Sequence, residues 1–198
     1  MKIFRSIKDS EVSKLLINGN VGIIPTDTVY GFACKADNPV ATKLLYETKR
    51  KNETKPGTII AANEFQLIDL GFDKDDVNLA QEILNLGVSV IIKIKDDRSY
   101  LNFGINTQAA RIIKKGGLHE LLEITGPLIT SSANKPGQDP IKTIEECENI
   151  FKEDISFYVD GGHIDNRPST IIKIDKEKIE IVRIGSVDVS KFLKQKLS

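Results

Sequence analysis

The sequence predicts an α/β protein that folds as one domain around a sheet with both parallel and antiparallel strands. Short apolar segments typical of strands alternate with amphipathic segments of helical period along the whole chain. That interleaving favours an α/β architecture over separate helical and sheet layers. Its 198 residues suit one large domain, and no repeat, linker or low-complexity tract divides them. We therefore expect a single domain over residues 1–198.

Helices are predicted where a capping residue precedes an apolar stripe of helical period. The Asn-Pro pair at 38–39 is one such start, because asparagine caps a helix and proline fits its first turn. The predicted helices are Ser10 to Asn20, Asn38 to about Thr48, Asn63 to near Gly71, Asp75 to Asn85, Leu118 to Glu123, Thr143 to Phe151, and a C-terminal helix over 188–198.

Strands are predicted at short runs of Ile, Val and Leu that end in turn residues. Two of them flank Asp175-Lys176-Glu177 and predict a hairpin. The predicted strands are Val21 to Pro25, Thr58 to Ala62, Val88 to Lys95, Ala109 to Ile113, Pro127 to Ser131, Phe157 to Asp160, Thr170 to Ile174 and Lys178 to Ile184.

Composition excludes several classes of protein. Lys plus Arg and Asp plus Glu both total 28, so no bulk charge attracts nucleic acid or an anionic membrane, although a local basic patch stays open. Cys34 and Cys147 stand far apart and predict neither a disulfide framework nor a zinc site. The chain has no signal-peptide core and no apolar run long enough to cross a membrane. We expect a cytoplasmic location with no membrane partner.

Small polar residues gather where three predicted strands begin or end. They stand in the stretches "IIPTDT", "PLITSSAN" and "RPSTIIKI". In open α/β sheets, ligands bind beyond strand ends, and hydroxyl and amide side chains suit an oxygen-rich ligand. The alternative is that these residues only form turns and caps.

Cationic residues form a second group of candidates. The loop "ETKRKNETKP" holds Lys49, Arg50, Lys51 and Lys55, which either form a solvated surface or neutralise phosphates. Arg111 stands inside the apolar strand "AARII", where a charge is costly unless it is paired or faces a ligand. Arg183 ends a strand before Gly185, which allows a turn or a close approach.

Several common catalytic motifs are missing from the sequence. It contains neither GxxxxGK[ST] nor GxGxxG, and His119 and His163 lie at no metal-ligand spacing. No Ser-His-Asp or Cys-His set emerges. A site in this chain would therefore act through positioning and charge.

Taken in order, "PTDTVYG", "KPGTIIAAN", "AR", "GPLITSSANKPGQDP", "DGG", "PSTIIKI" and "VRIGS" resemble the YrdC-like family, the threonylcarbamoyl-AMP synthases of the TsaC type. The resemblance covers about residues 8–187. It implies a twisted mixed sheet with flanking helices around an open ligand groove. The implied reaction condenses L-threonine, bicarbonate and ATP to threonylcarbamoyl-AMP and pyrophosphate, for threonylcarbamoyladenosine modification of tRNA.

The resemblance also implies partners and site residues. ATP is a substrate, Mg²⁺ is bound through the nucleotide and not by a protein metal site, tRNA threonylcarbamoyl transferase proteins act downstream, and tRNA or double-stranded RNA is a candidate ligand. Lys51 stands where the family usually has Arg. The implied catalytic residues are Lys49 and Lys51; those for ATP are Lys49, Lys51, Thr107, Ser132, Asn134 and Arg183; those for threonine are Thr26, Thr28, Tyr30, Arg111, Thr130 and Ser169.

Two other readings of the sequence stay open. One is a non-catalytic nucleotide- or double-stranded-RNA-binding member of the same family, although scarce aromatic residues give few stacking platforms. The other is carbamoyl-adenylate chemistry with an acceptor other than threonine.

Overall fold

A ten-stranded mixed sheet forms the centre of the protein. The computed structural model describes residues 2–49, 55–135, 137–175 and 178–190. The order of the strands across the sheet is β1-β8-β2-β3-β7-β4-β6-β5-β9-β10. The strands are β1 (Lys2–Phe4), β2 (Gly22–Pro25), β3 (Tyr30–Lys35), β4 (Thr58–Ala61), β5 (Ser89–Lys93), β6 (Thr107–Ile112), β7 (Leu128–Ser132), β8 (Phe157–Val159), β9 (Ile171–Asp175) and β10 (Lys178–Arg183).

Seven α-helices flank the sheet in the described residues, with short 3₁₀ turns at Asp96–Arg98 and Lys152–Asp154. The side chains of Asn38 and Asn63 accept hydrogen bonds from Ala41 N and Gln66 N, as expected of N-caps. The helices are α1 (Ser10–Ile17), α2 (Pro39–Thr48), α3 (Glu64–Leu70), α4 (Lys74–Leu84), α5 (Ser99–Asn102), α6 (Gly117–Thr125) and α7 (Ile144–Phe151).

The two faces of the sheet are covered unequally. Side chains from α2, α3, α4, α5 and α7 pack with Phe32, Ile59 and Ala110 into one large apolar cluster. On the opposite face, α1 and α6 build a smaller cluster over residues that include Ile60 and Leu128. The protein therefore has three layers, but its third layer is incomplete.

The uncovered part of the second face is lined by small and hydroxyl side chains. Thr58 pairs with Ala109 of β6 and with Thr130 of β7, so these three residues form one row across the sheet. Because side chains alternate between faces along a strand, this row shares its face with Ile60 and Leu128, two residues further along. It is the floor of an open groove.

Most of the predicted elements are present, and the predicted hairpin is confirmed because β9 pairs antiparallel with β10. Two strands were missed. β1 is a three-residue edge strand, and β3 is separated from β2 by only four residues and pairs with it from Pro25↔Tyr30 onward. The short helix α5 was also missed. The predicted C-terminal helix over 188–198 lies almost entirely outside the described residues.

Candidate functional site

The groove over the bare part of the sheet has a volume of about 680 Å³. It lies against the ends of several strands that are distant in sequence, and among the described residues four cationic side chains line it: Lys49, Lys55, Arg111 and Arg183. Lys49 lies at one side, after α2, whereas Arg111 and Arg183 come from β6 and β10. The site is thus electropositive, and its residues come from segments that are far apart in the sequence.

Lys49 is held inside the protein by neutral oxygen atoms. It follows the last residue of α2 and is only 9% exposed. Its Nζ donates to the Ser132 carbonyl, to Ser132 Oγ at 3.2 Å and to Asn134 Oδ1 at 3.0 Å. Nζ also lies 5.8 Å from the centre of the Phe32 ring, within the range of a cation–π contact. None of the salt bridges in the described part of the chain involves this lysine.

Burial makes the charge of Lys49 sensitive to its surroundings. Desolvation lowers the pKa of this lysine from 10.5 to about 8. An anion in the groove would oppose that effect, because it stabilises the ammonium form.

The amide of Asn134 is held in one orientation. Ser132 Oγ donates to Asn134 Oδ1 at 2.6 Å, and Asn134 Nδ2 donates to the carbonyls of Lys135 and Gln138. These contacts fix the amide oxygen towards Lys49.

Arg111 is the most deeply buried cation of the groove, at 3% exposure. Its Nη2 donates to Asp27 Oδ1 at 2.7 Å, and its Nη1 donates to Ser89 Oγ at 3.2 Å. The buried Nε has no hydrogen-bond partner among the described residues. A buried guanidinium needs a counter-charge, and Asp27 supplies it from the loop between β2 and β3. This pairing meets one of the two conditions expected for a charge in the strand "AARII", which was to be paired or to face a ligand.

Ser169 connects Arg111 to Arg183. Ser89 Oγ donates to Ser169 Oγ at 3.0 Å, and the Arg183 Nη2 donates to the Ser169 carbonyl at 2.8 Å. Burial and the nearby charge of Arg111 lower the pKa of Arg183. Gly185 makes this arrangement possible, because a Cβ there would lie 2.1 Å from the Pro168 carbonyl oxygen. The predicted close approach at Gly185 is therefore made to the backbone before Ser169.

The loop from Thr26 to Val29 is held by one hydroxyl. Thr26 Oγ1 accepts from the backbone N–H of Thr28 and Val29 at 3.2 and 3.1 Å and donates to the Val29 carbonyl at 2.6 Å. Thr130 Oγ1 donates to the Thr58 carbonyl at 3.0 Å. Both hydroxyls therefore hold backbone as well as lining the groove, so the turn-forming alternative is correct in part. Thr28 and Thr107 line the groove as well.

Tyr30 does not reach the groove. Its side chain is fully buried, and its hydroxyl accepts from Gly161 N and donates to the Gly162 carbonyl, both at 2.8 Å. Tyr30 precedes Gly31 in β3, and Gly31 is the residue that lines the groove. Alternation along the strand turns Tyr30 to the helix-covered face. Tyr30 therefore stabilises the loop after β8 through these two hydrogen bonds and does not contact a ligand in the groove.

The structure brings ten of the twelve predicted site residues to one groove. Tyr30 lies elsewhere, and Lys51 is outside the described residues. The ten are Thr26, Thr28, Lys49, Thr107, Arg111, Thr130, Ser132, Asn134, Ser169 and Arg183.

Sequence reasoning missed Asp27 and Ser89, the two partners of Arg111. The signal available in the sequence was Arg111 itself. Burying its charge costs free energy unless a carboxylate lies nearby, so a partner such as Asp27 could have been looked for.

A family model described as "Telomere recombination", for the Sua5, YciO and YrdC proteins, matches residues 14–185. The chain belongs to this family. A protein of Pseudoalteromonas translucida named threonylcarbamoyl-AMP synthase is 32% identical over 165 residues, which cover 79% of this chain and 87% of that protein. A protein of Methanocaldococcus jannaschii, provisionally named threonylcarbamoyl-AMP synthase, is 29% identical over 191 residues, covering 91% and 86%.

Solved structures share the fold. Sua5 of Pyrococcus abyssi, crystallised with L-threonine, superposes with a TM-score of 0.87 at 20% identity. The match covers 98% of this chain and 60% of that protein, so this chain spans about three fifths of the Sua5 length. YciO of Escherichia coli superposes with a TM-score of 0.82 at 20% identity, over 97% of this chain and all of YciO. The predicted α/β fold with a mixed sheet is confirmed.

No helix in the described residues is long and apolar enough to cross a membrane. In the same residues, no group of three or more His, Cys, Asp or Glu side chains could hold a metal ion.

Proposed function

We propose that this protein is an L-threonylcarbamoyladenylate synthase, which joins L-threonine, bicarbonate and ATP into threonylcarbamoyl-AMP with release of pyrophosphate. One observation carries the proposal: the Lys49 cluster and the linked pair of Arg111 and Arg183 line the same groove. The names of the two curated relatives support it. The product is proposed to serve the threonylcarbamoyladenosine modification of tRNA.

The Lys49 side of the groove suits the ATP phosphates. Lys49, Ser132 and Asn134 present an ammonium, a hydroxyl and an amide within one hydrogen-bonded cluster. Because the lysine makes no described ion pair, its charge is available to a phosphate. In the reaction, the threonine amine and bicarbonate first form a carbamate with loss of water. A carbamate oxygen then attacks the α-phosphorus, and the bond to pyrophosphate breaks. Both reactants are anions, so fixed positive charge lowers the barrier.

The Arg111 side suits the amino acid. A guanidinium recognises a carboxylate with parallel hydrogen bonds, and Arg111 retains donors beyond the two contacts it makes in the described residues. Arg183 and Ser169 lie beside it. Thr26 and Thr28 complete this wall. Mg²⁺ is expected to enter with the nucleotide, whose phosphates are its main ligands.

The shape of the groove suits an unstable intermediate. Carbamates and acyl phosphates decompose in water, and a groove that holds both substrates shortens the time they spend in solvent. Its apolar walls include Val29, Ile91 and Ile171, which limit the space left for water. Lys51, which is outside the described residues, remains a proposed phosphate contact by resemblance alone.

The proposal is tested by pyrophosphate release from ATP and Mg²⁺, with bicarbonate and L-threonine each present or omitted, and with L-serine as the control amino acid. Release that requires both bicarbonate and threonine is the expected result. ATP binding without any release would instead favour the non-catalytic alternative. Release with carbamoyl phosphate in place of threonine and bicarbonate would favour another acceptor.

A further inference from the structure

Asp27 is the carboxylate that pairs with Arg111, and the reaction assigned above gives it no task. Asp27 is not itself among the lining residues of the groove, but its neighbours Thr26 and Thr28 and its partner Arg111 are. It lies at the tip of the hairpin between β2 and β3, with Oδ1 2.7 Å from Arg111 Nη2. The simplest reading is that Asp27 neutralises a buried guanidinium. Three features of the structure go beyond that reading.

The first feature is exposure. The Arg111 side chain is 4% exposed, whereas the Asp27 side chain is 28% exposed. Its second oxygen, Oδ2, has no hydrogen-bond partner in the described part of the chain. A carboxylate that served only Arg111 could use both oxygens on the guanidinium, as bidentate pairs do. Here one oxygen remains available to a cation outside the protein.

The second feature is the charge balance at this side of the groove. Arg183 lies close enough to Arg111 for their charges to interact. Two guanidinium groups and one carboxylate leave a net positive charge, which suits one carboxylate of a ligand. Asp27 would nevertheless repel such a carboxylate unless the ligand also carried a positive charge next to it.

The third feature is rigidity. Asp27 lies between Thr26 and Thr28 in a loop that the Thr26 hydroxyl holds by three backbone contacts. Arg111 is fixed in turn by Ser89. A positive and a negative group are therefore held side by side in one orientation, as binding sites require of their polar groups.

We propose that Asp27 binds the α-ammonium group of the amino-acid substrate, while the Arg111 guanidinium beside it binds the α-carboxylate. In an α-amino acid, the ammonium and the carboxylate are bonded to the same carbon. The zwitterion can therefore place its ammonium against Asp27 and its carboxylate against the adjacent Arg111. The groove then selects α-amino acids over acids of the same shape that lack the amine. This assignment rests on the synthase function proposed above, and it makes Asp27 a specificity-determining residue of that site.

The test compares L-threonine with 2,3-dihydroxybutanoate of matching stereochemistry, in which a hydroxyl replaces the amine. Isothermal titration calorimetry at pH 7 measures the dissociation constant of each ligand for the wild type and for Asp27→Asn. The wild type is expected to prefer threonine at least ~10-fold, the scale of one charge-assisted hydrogen bond. Asp27→Asn keeps an oxygen that can accept from Arg111 but loses the charge, so its preference should fall to near parity.

Two further variants serve as controls. Asp27→Glu retains the charge and should retain a preference for threonine. Asp165→Asn removes an exposed carboxylate that pairs at 2.8 Å with Lys142, which, unlike Arg111, does not line the groove. It should bind both ligands as the wild type does. Circular dichroism melts of each variant report whether it is folded.

Other outcomes overturn the assignment in distinguishable ways. If Asp27→Asn weakens both ligands by the same factor, Asp27 only orients Arg111, and the synthase proposal stands. If the wild type shows no preference between the ligands, Asp27 does not bind the amine, a result that holds even when the variant fails to fold. If the wild type binds neither ligand, the synthase proposal fails together with this one.

Discussion

The two cationic sides of the groove hold their charges in opposite ways. Lys49 is buried among neutral oxygens and has a lowered pKa near 8. Arg111 is buried more deeply, yet a carboxylate pairs with it directly. A lysine loses its proton readily when desolvated, whereas an arginine keeps its charge in any protein environment.

This difference matches the partners proposed for each side. On the lysine side, the ammonium of Lys49 has no carboxylate partner among the described residues. A bound polyphosphate would therefore stabilise its charge. The arginine side already holds a carboxylate beside its two guanidinium groups, so it gains most from a ligand that carries both signs of charge. With these proposed ligands, an anion would bind at one side of the groove and a zwitterion at the other, so substitutions at the two sides should have separable effects.

The largest effect is expected for Lys49→Ala. Losing a charge-assisted contact worth roughly 1.5–3 kcal/mol should lower kcat/KM for ATP at least ~10-fold in the pyrophosphate assay. Lys43→Ala is the matched control, because Lys43 lies on α2, which Lys49 follows, with its side chain 79% exposed. Unchanged activity of Lys49→Ala would remove Lys49 from the phosphate site.

A smaller and more selective effect is expected for Arg111→Lys. The lysine keeps a charge for Asp27 but cannot form the parallel bonds of a guanidinium. The KM for L-threonine should rise about 10-fold, as for one lost charged hydrogen bond, while the KM for ATP stays near its wild-type value. An equal rise in both KM values would contradict the separation of the two sides.

The pH dependence distinguishes the same sides without substitution. Below pH 8 the Lys49 ammonium is charged, and above pH 8 the unliganded protein loses that charge. Affinity for a non-hydrolysable ATP analogue should therefore fall as the pH rises through 8, whereas affinity for 2,3-dihydroxybutanoate, which has no amine to titrate in this range, should not follow this titration. Calorimetry between pH 6.5 and 9.5 measures both.

Stability should respond to pH with the opposite sign. An unfolded lysine keeps its proton up to its usual pKa of 10.5, so between pH 8 and 10.5 the unfolded state binds more protons than the folded state. The contribution of Lys49 to the free energy of unfolding therefore rises with pH in that window. Urea melts should show a smaller rise for Lys49→Ala than for the wild type.

The smallest effect on activity is expected for Tyr30→Phe. The lost hydroxyl removes hydrogen bonds to Gly161 N and the Gly162 carbonyl, and because both glycines are exposed to water this should lower the free energy of unfolding by only about 0.5–1.5 kcal/mol. Because Tyr30 lies outside the groove, KM for threonine should not change. A specific rise in that KM would return Tyr30 to the ligand site.

Local sequence signals predicted the helices well and the strands unevenly. Asn38 and Asn63 are N-cap residues that can be recognised from the sequence, so the starts of α2 and α3 were predicted. The strand Tyr30–Lys35 is buried on both faces and shows no alternation that would mark it. Its loop to β2 is also short, which hid the boundary between the two strands.

The missed strand explains the error at Tyr30. Within "PTDTVYG" the residue looks like one more polar group beside a ligand, and only the pleat of β3 shows that it faces the opposite side from Gly31. Asp27 was hidden for a different reason. Its partner lies 84 residues away, and no local pattern indicates a contact across that separation.

The position of β8 in the sheet has a consequence for folding of the chain. β8 lies between β1 and β2 and pairs in parallel with both. This edge of the sheet therefore cannot form until residues 157–159 are available to pair with the two strands near the N-terminus. The groove needs still more of the chain, up to Arg183. Such distant pairings slow folding, because chain entropy is lost before the contacts are gained. During synthesis, the binding groove would therefore be among the last parts of the protein to form.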